Sequence, residues 1–244
     1  QRTVQGIISQ KLSQRFDVGV KITGAGRTDQ GVHARGQAGH FDIPHDKADF
    51  DPDHLEYVVN RLLPDDVRMY NITKIHRSVD FHATGAAQGK LYSYRFCTNS
   101  FVDPTRRRYC AHFYMPFDME LFKDCLQMFV GSHDFRAFAN RIKHTTKNLA
   151  EQGEGHTVDT IRTVHSVQLV DEGQGYYRVD FHLESALYRM VRNIVGSSLD
   201  VAAGNFSKDF LRHLLSTAPS RYENKAKSAP PEGLTLEMVY YDVY

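Results

Sequence analysis

The sequence has 244 residues, a length that fits one large domain or two small ones that share a core. Apolar residues make up 41% and charged residues 24% of it, proportions typical of a globular protein that exclude a wholly disordered chain. The formal net charge is only +1, so a nucleic-acid-binding surface would have to come from local clusters of charge.

The first 117 residues predict two helices and four strands. Residues 3–16 place their apolar side chains on one face, with Thr3 as a capping residue, and therefore predict a helix. A second helix is expected from Asp51-Pro52, a capping residue followed by a proline at the first helical position, up to Pro64. Short runs that are β-branched or alternate in polarity predict the strands, at 18–22, 37–43, 67–75 and 90–96.

The rest of the chain predicts three helices, a hairpin and a closing strand. Apolar side chains recur at helical spacing in three segments: from Asp118 to Gly131, at about 186–203 and at about 208–216. Residues 161–170 and 176–184 alternate in polarity on either side of a glycine-containing turn, which predicts a hairpin. Residues 234–241 predict the last strand.

Many of the predicted strands are connected to a neighbour by a hairpin and not by a regular helical crossover. This order favours an α+β fold with two similar halves, a largely antiparallel mixed sheet and helices packed on one side. We place the seam near residue 117, which gives an N-terminal half (1–117) and a C-terminal half (118–244). We expect a catalytic cleft between the two halves.

The strongest chemical signal is the glycine-rich loop at 24–36, which carries Arg27, Thr28, Asp29 and His33 within seven positions. Loops held by flanking strands are common places for catalytic groups. Asp29 could act there as a nucleophile, a general base or a metal ligand, or it could form a surface pair with Arg27 in a tight turn. The spacing matches neither a nucleotide-phosphate motif nor a zinc pattern, so we expect no metal.

Two further patterns each allow a structural and a functional interpretation. Tyr92 and Tyr94 share one face of a strand, where they could pack in the core or stack on a nucleobase. Arg189 and Arg192 are three residues apart and therefore neighbours on a helix. They could form a solvated polar face, or one of them could reach a buried carboxylate and hold it ionised.

Two basic clusters could contact phosphates, although either could instead be a solvated face. One is a run of three arginines, and the other lies in a segment, 140–157, whose composition predicts a long exposed loop. The residues of the two clusters are Arg106, Arg107, Arg108, Arg141, Lys143 and Lys147.

Cysteine usage and hydropathy argue against other classes of protein. Cys97, Cys110 and Cys125 are odd in number and lack CxxC pairing, so we expect buried thiols in a reducing compartment and no disulfide framework. No apolar run approaches the roughly 18 residues that a membrane-spanning helix needs. With no targeting segment visible, we expect a protein of the cytoplasm or of an organelle matrix.

Seven segments, in a fixed order, carry a resemblance to a known family. They are Gly26–Ala34 with Gly36-Gln37 and His40-Phe41, then Lys90–Arg95, Gly131–Phe135, Met190–Gly196 and Ala229–Leu234. Together they resemble the tRNA pseudouridine synthase A family over nearly the whole chain. The resemblance implies the pseudouridine synthase fold and the isomerisation of uridine to pseudouridine in tRNA, with no cofactor.

The resemblance also implies roles for four residues. Asp29 matches the catalytic aspartate, which acts as the nucleophile, and Arg192 matches the arginine that pairs with it. Tyr92 matches a tyrosine that packs on the target base, and Arg27 matches an arginine linked to base flipping. Family members are typically homodimers, and bacterial-type members modify positions 38–40 in the anticodon arm.

The chain departs from the family pattern at its start. The family usually opens with a strand that carries Tyr-Asp-Gly and Gly-Trp-Gln, and neither motif is present. We therefore expect that the first strand is missing from the N-terminal half. An absent edge strand would leave unpaired backbone groups in a sheet.

Two other functions remain compatible with the residues themselves. An RNA-binding chaperone or assembly factor could keep the fold without catalysis, but it would not need Asp29, Tyr92 and Arg192 together. An aspartate-dependent glycosidase or hydrolase would need a second carboxyl group as an acid, and the sequence shows no strong candidate.

Overall fold

The computed structural model describes residues 2–76, 78–142 and 158–242. Its helices, in chain order, are α1 (Val4–Phe16), α2 (Pro52–Leu62), α3 (Met119–Gln127), α4 (Met190–Ala202) and α5 (Lys208–Thr217). Short 3-10 turns occupy His45–Lys47, Arg136–Phe138 and Pro231–Gly233. Within the described residues, no helix combines the length and the apolar character that crossing a membrane requires.

The strands vary from two-residue bridges to a long hairpin. In chain order they are β1 (Thr23–Gly24), β2 (His33–Ala34), β3 (Gly39–His40), β4 (Ala87–Cys97), β5 (Ala111–His112), β6 (Gly131–Asp134), β7 (Ile161–Gly173), β8 (Tyr176–Leu183) and β9 (Leu234–Tyr241). The predicted strand at 90–96, the hairpin and the closing strand are confirmed.

The chain divides into two compact units. The first contains Gln1–Arg27, Gln37–Ala87 and Tyr241–Tyr244, and the second contains Thr28–Gly36 and Gln88–Tyr240. The sequence predicted two similar halves that meet near residue 117. The two compact units do not test that similarity, so it stays a prediction.

The first unit is built on two capped helices. Thr3 accepts a hydrogen bond from the Gly6 amide and Asp51 accepts one from the His54 amide, so both predicted caps are confirmed. The buried core consists of Ile8, Leu12, Phe16, Val20, Leu55, Val59, Leu63 and Val67. β1 and β3 form a small antiparallel ribbon beside it.

The strands predicted at 18–22 and 67–75 do not form, because helix side chains take the place of a neighbouring strand. Ser13 Oγ accepts from the Val20 amide at 2.8 Å, and Ser9 Oγ accepts from the Ile22 amide at 3.0 Å.

In the 67–75 segment, Asn60 Oδ1 of α2 accepts from the Met69 amide at 2.8 Å. Both segments still bury apolar side chains against the helices, so the hydrophobic pattern was informative although the pairing was wrong.

The second unit contains a seven-stranded sheet among its described residues. The order is β2-β9-β4-β8-β7-β6, and β5 pairs with β4. The β4–β8, β7–β8 and β6–β7 pairs are antiparallel, whereas β2–β9 and β4–β5 are parallel. The predicted α+β class with a largely antiparallel mixed sheet is therefore confirmed, and α3 packs against α4 and β7.

Helix α4 is buried along most of its length, with 11 of its 13 residues buried. A helix in that position has close neighbours on several sides, and Gly196 makes room for one of these neighbours, the 227–229 segment. A Cβ atom at Gly196 would lie 1.8 Å from the carbonyl oxygen of Lys227, so only glycine lets the 227–229 segment pass this closely. The Ala229 amide donates to the Arg192 carbonyl at 3.0 Å and completes the contact.

We expect Gly196→Ala to lower the free energy of unfolding by about 1–3 kcal/mol, since the new methyl group must displace backbone. In a chain of this size, that change lowers Tm by about 2–4 °C for each kcal/mol. Thermal unfolding followed by circular dichroism measures it.

The matched control for this substitution is Gly19→Ala, because a Cβ atom there meets nothing within 4 Å. It should leave Tm unchanged or raise it slightly. Equal melting of the two variants would show that the 227–229 segment can move away from α4 freely.

Candidate active site

Asp29 lies in a tight turn at the start of the second unit. Its carbonyl oxygen accepts from the Val32 amide at 3.1 Å, and β2 then begins at His33, which is in register with Thr235 of β9. Gly31 has a φ of +83°, and a Cβ atom there would lie 3.0 Å from Pro231. The turn is therefore fixed by β9 on one side and by the 3-10 turn before β9 on the other.

The Asp29 carboxylate is largely removed from solvent and is paired with a buried arginine. Arg192 Nη1 donates to Asp29 Oδ2 at 2.7 Å, and the two side chains are 9% and 12% exposed, respectively. Arg192 Nε donates to the Ala229 carbonyl at 2.8 Å. Two bonds from different nitrogens hold the guanidinium in place, and one of them ties Asp29 Oδ2 to it.

A second guanidinium reaches the same carboxylate from a more exposed position. Arg189 Nε lies 3.8 Å from Asp29 Oδ2, and the Arg189 side chain is 39% exposed. The structure thus brings both arginines of the 189–192 pair to one carboxylate. Only Arg192 is buried, and sequence spacing could not distinguish the two.

Tyr92 contributes a neutral phenol to this region. It lies on β4 opposite Phe181 of β8 and is 8% exposed. Burial and, to a smaller extent, the negative charge of Asp29 together raise the pKa of Tyr92 to about 12. The phenol therefore stays protonated at neutral pH, where its hydroxyl can donate or accept a hydrogen bond and its ring can pack against a ligand.

The neighbouring Tyr94 has a structural role. It is fully buried, and its hydroxyl donates to the Pro230 carbonyl at 2.9 Å. Burial raises the pKa of Tyr94 well above its ordinary value. The two tyrosines of the 90–94 motif thus serve different purposes, with Tyr94 tying β4 to the segment that also contacts Arg192.

The triple-arginine run is an exposed turn attached to the loop that carries Asp29. Residues 106–108 are all exposed, and His33 Nε2 donates to the Arg108 carbonyl at 2.6 Å. The Arg106 guanidinium lies over the Tyr176 ring, 4.5 Å from its centroid. The structure therefore holds this basic turn beside the Asp29 turn, a link that sequence analysis missed because it runs through a backbone carbonyl.

The remaining candidate residues are placed as follows. Arg27 is exposed and belongs to the first unit, and Arg141 is exposed in the second. Lys143 and Lys147 lie outside the described residues.

The ion-pair partners of Asp29 bear on the alternative glycosidase function. Both ion-pair partners of Asp29 are guanidiniums, whereas a glycosidase would place a second carboxyl group nearby as an acid. Across the described ranges, no group of three or more His, Cys, Asp or Glu side chains could hold a metal ion. The three cysteines are buried and carry free thiols.

Comparison with known proteins gives a consistent result. A family profile described as tRNA pseudouridine synthase matches residues 125–242. A Leuconostoc citreum protein named tRNA pseudouridine synthase A is 34% identical over 99% of this chain and 87% of its own length. A Protochlamydia amoebophila protein, tRNA pseudouridine synthase A 1, is 33% identical over 96% of this chain and 87% of its own. A Geobacillus protein named tRNA pseudouridine synthase A is 33% identical over 99% and 90%, respectively.

We expect Arg192→Lys to lower the free energy of unfolding by about 1–3 kcal/mol. A single ammonium group cannot reach both Asp29 and the Ala229 carbonyl with the geometry of a guanidinium, so one buried partner is left without its bond. Urea unfolding followed by circular dichroism measures the loss.

The control for Arg192→Lys is Arg212→Lys, which alters an exposed pair with Asp209 on α5 and should change stability by less than about 0.5 kcal/mol. If Arg192→Lys were as stable as the unmodified chain, the two bonds of Arg192 would not be needed to hold this segment.

Titration of Tyr92 gives an independent test of its surroundings. We expect its phenol to ionise near pH 12, against 10.0 for a free tyrosine, and its pKa to fall in Asp29→Asn because one cause of the shift is removed. Since the folded pKa is the higher one, the contribution of Tyr92 to stability is full below about pH 10 and is lost as the pH rises towards 12.

Carbon NMR of the tyrosine ring, assigned by the signal missing from Tyr92→Phe, follows this ionisation. A midpoint near 10 would mean that water reaches the phenol.

Proposed function

Since the chain belongs to the tRNA pseudouridine synthase A family, we propose that it isomerises uridine to pseudouridine in tRNA with Asp29 as the nucleophile. The observation that supports this role best is the buried pair between Asp29 and Arg192, in which the guanidinium is itself held by the Ala229 carbonyl. A carboxylate kept in one orientation at the edge of a water-poor site is suited to attack a bound nucleoside.

The reaction needs no external reactant. The bond between the ribose C1′ and the base N1 breaks, and a bond between C1′ and C5 forms. The proton lost from C5 is balanced by the one gained at N1, so reactant and product are isomers. Asp29 attacks the nucleoside to allow the base to detach and turn, and it is regenerated when the new bond is complete.

The other site residues act on the position of the base. A uridine inside an RNA stem must leave its stack before its glycosidic bond can be reached, which costs a few kcal/mol. In our proposal, the ring of Tyr92 packs on the flipped base, and the exposed Arg27 takes the place that the base leaves. The protonated state of Tyr92 suits this packing, because a deprotonated Tyr92 and the Asp29 carboxylate would repel each other.

We propose that the substrate positions lie in the anticodon arm, at 38–40, and that the enzyme acts as a homodimer in the cytoplasm or an organelle matrix. The exposed turn at 106–108 supports contact with the RNA backbone, since its arginines lie next to the loop that carries Asp29. Arg141, Lys143 and Lys147 are proposed to add further phosphate contacts.

We expect Asp29→Asn to reduce pseudouridine formation by at least about a thousandfold, because an amide of nearly the same shape is not a nucleophile. Affinity for tRNA should stay within a few-fold. Mass-spectrometric detection of pseudouridine in bulk tRNA incubated with each protein measures the first, and filter binding measures the second.

The matched control for charge is Asp209→Asn, the same substitution at an exposed ion pair on α5, which should retain full activity. A thermal melt of Asp29→Asn checks that the variant is folded. Product from folded Asp29→Asn at the rate of the unmodified chain would rule out the nucleophile. Tight tRNA binding with no product from any protein would favour a non-catalytic RNA-binding chaperone or assembly factor instead.

A further inference from the structure

The two arginines at Asp29 differ in how firmly they are held. Arg192 contacts Asp29 through a 2.7 Å hydrogen bond, and both side chains are largely buried. Arg189 Nε lies 3.8 Å from the carboxylate, and the Arg189 side chain is 39% exposed. A separation of 3.8 Å is too long for a hydrogen bond, so Arg189 is attracted to the carboxylate without being fixed by it. Arg192 already supplies a hydrogen bond to Asp29, so Arg189 is available for another role.

Arg189 also belongs to a group of two arginines around one aromatic ring. The guanidinium carbons of Arg189 and Arg141 lie 5.3 and 5.0 Å from the centroid of the Tyr188 ring. Such contacts hold guanidiniums in place while leaving their N–H groups able to donate to a ligand. We call Arg141, Tyr188 and Arg189 the arginine bracket.

The backbone of the arginine bracket is held in an uncommon conformation. Arg141 has a φ of 59° and Arg189 a φ of 64°, values that cost of order 1–3 kcal/mol each for a residue other than glycine.

Two hydrogen bonds maintain the arrangement. The Asn140 amide donates to the Tyr188 carbonyl at 2.9 Å, and Asn193 Nδ2 donates to Asn140 Oδ1 at 2.9 Å. These bonds hold together the residues that precede Arg141 and Arg189 in the chain.

Among the side chains in contact with Asp29, positive charges outnumber the one negative charge of Asp29 itself. Arg189 and Arg192 share the single carboxylate of Asp29. Burial lowers the pKa of Arg221, and the positive charge of Arg189 lowers it as well, as expected for repulsion between two nearby cations. An anionic group that reached the exposed side of Asp29 would relieve this repulsion.

We propose that the arginine bracket binds a backbone phosphate next to the uridine that Asp29 attacks. This inference rests on the proposed function, since it takes the ligand to be RNA. The phosphates on either side of a nucleoside belong to its own backbone, so a guanidinium in contact with the nucleophile can reach one of them. Guanidiniums bind phosphate oxygens with paired N–H donors, and the partial exposure of Arg189 keeps such donors accessible.

The test begins with Arg189→Asn, because asparagine tolerates a positive φ better than most residues while it removes the charge. We expect the Kd for a labelled anticodon-arm hairpin to rise about five- to tenfold. The slope of log Kd against log salt concentration should shrink by about one phosphate contact. Arg189→Lys keeps a charge and should keep most of the slope.

The control is Arg212→Asn, which removes a more exposed arginine from α5 and should leave the slope unchanged. An unchanged slope in folded Arg189→Asn overturns the proposal. If that variant does not fold, Arg141→Asn replaces it, since its φ is also positive and the same decrease is expected.

A second experiment identifies the phosphate. Hairpins that carry a neutral methylphosphonate immediately 5′ or 3′ of the target uridine are bound to the unmodified protein and to Arg189→Asn. At one of the two positions, the methylphosphonate should weaken binding to the unmodified protein but not to Arg189→Asn. This is the result expected when Arg189 and that phosphate are partners in a double-mutant cycle. Equal losses with both proteins at both positions would show that Arg189 contacts neither phosphate.

These measurements do not depend on turnover. Absence of pseudouridine from the unmodified protein would refute the proposed function, while the salt slope and the cycle would still decide whether the arginine bracket binds phosphate.

Discussion

The guanidinium of Arg192 is the point on which the site depends. It is buried in α4, donates one hydrogen bond to the Ala229 carbonyl and donates another to Asp29, and therefore joins three separate parts of the chain. A buried cation is stable only when its donors are satisfied, so the position of each part constrains the others. Gly196 makes this possible, because it lets the segment that carries Ala229 approach the helix closely.

The sheet adds a second constraint by relating Asp29 to Tyr92. The strand order β2-β9-β4 places the strand that follows Asp29 and the strand that carries Tyr92 on either side of β9. Tyr94, one side chain further along the same face of β4, is tied to Pro230 just before β9. Asp29 on its loop and Tyr92 on β4 are thus both held in place relative to β9, as a site with a fixed geometry requires.

Burial divides the groups around Asp29 into an inner and an outer set. Arg192 and Tyr92 are almost fully enclosed, where a charge is strongly felt and a phenol stays neutral. Arg189 and Arg141 are exposed and stack on Tyr188. This separation allows the inner set to orient and tune the carboxylate, while the outer set remains available to a polyanion that arrives from solvent.

The sequence by itself determined the α+β class, the helix caps at Thr3 and Asp51, the hairpin of β7 and β8, and the loop that carries Asp29. These follow from local periodicity, capping and glycine content, which depend on neighbours along the chain. Only the tertiary structure decided that 18–22 and 67–75 bond to helix side chains instead of to strands, and that Arg189 as well as Arg192 reaches Asp29. Those outcomes depend on partners many residues away, such as the Ala229 carbonyl, and a backbone carbonyl leaves no mark in the identity of its residue.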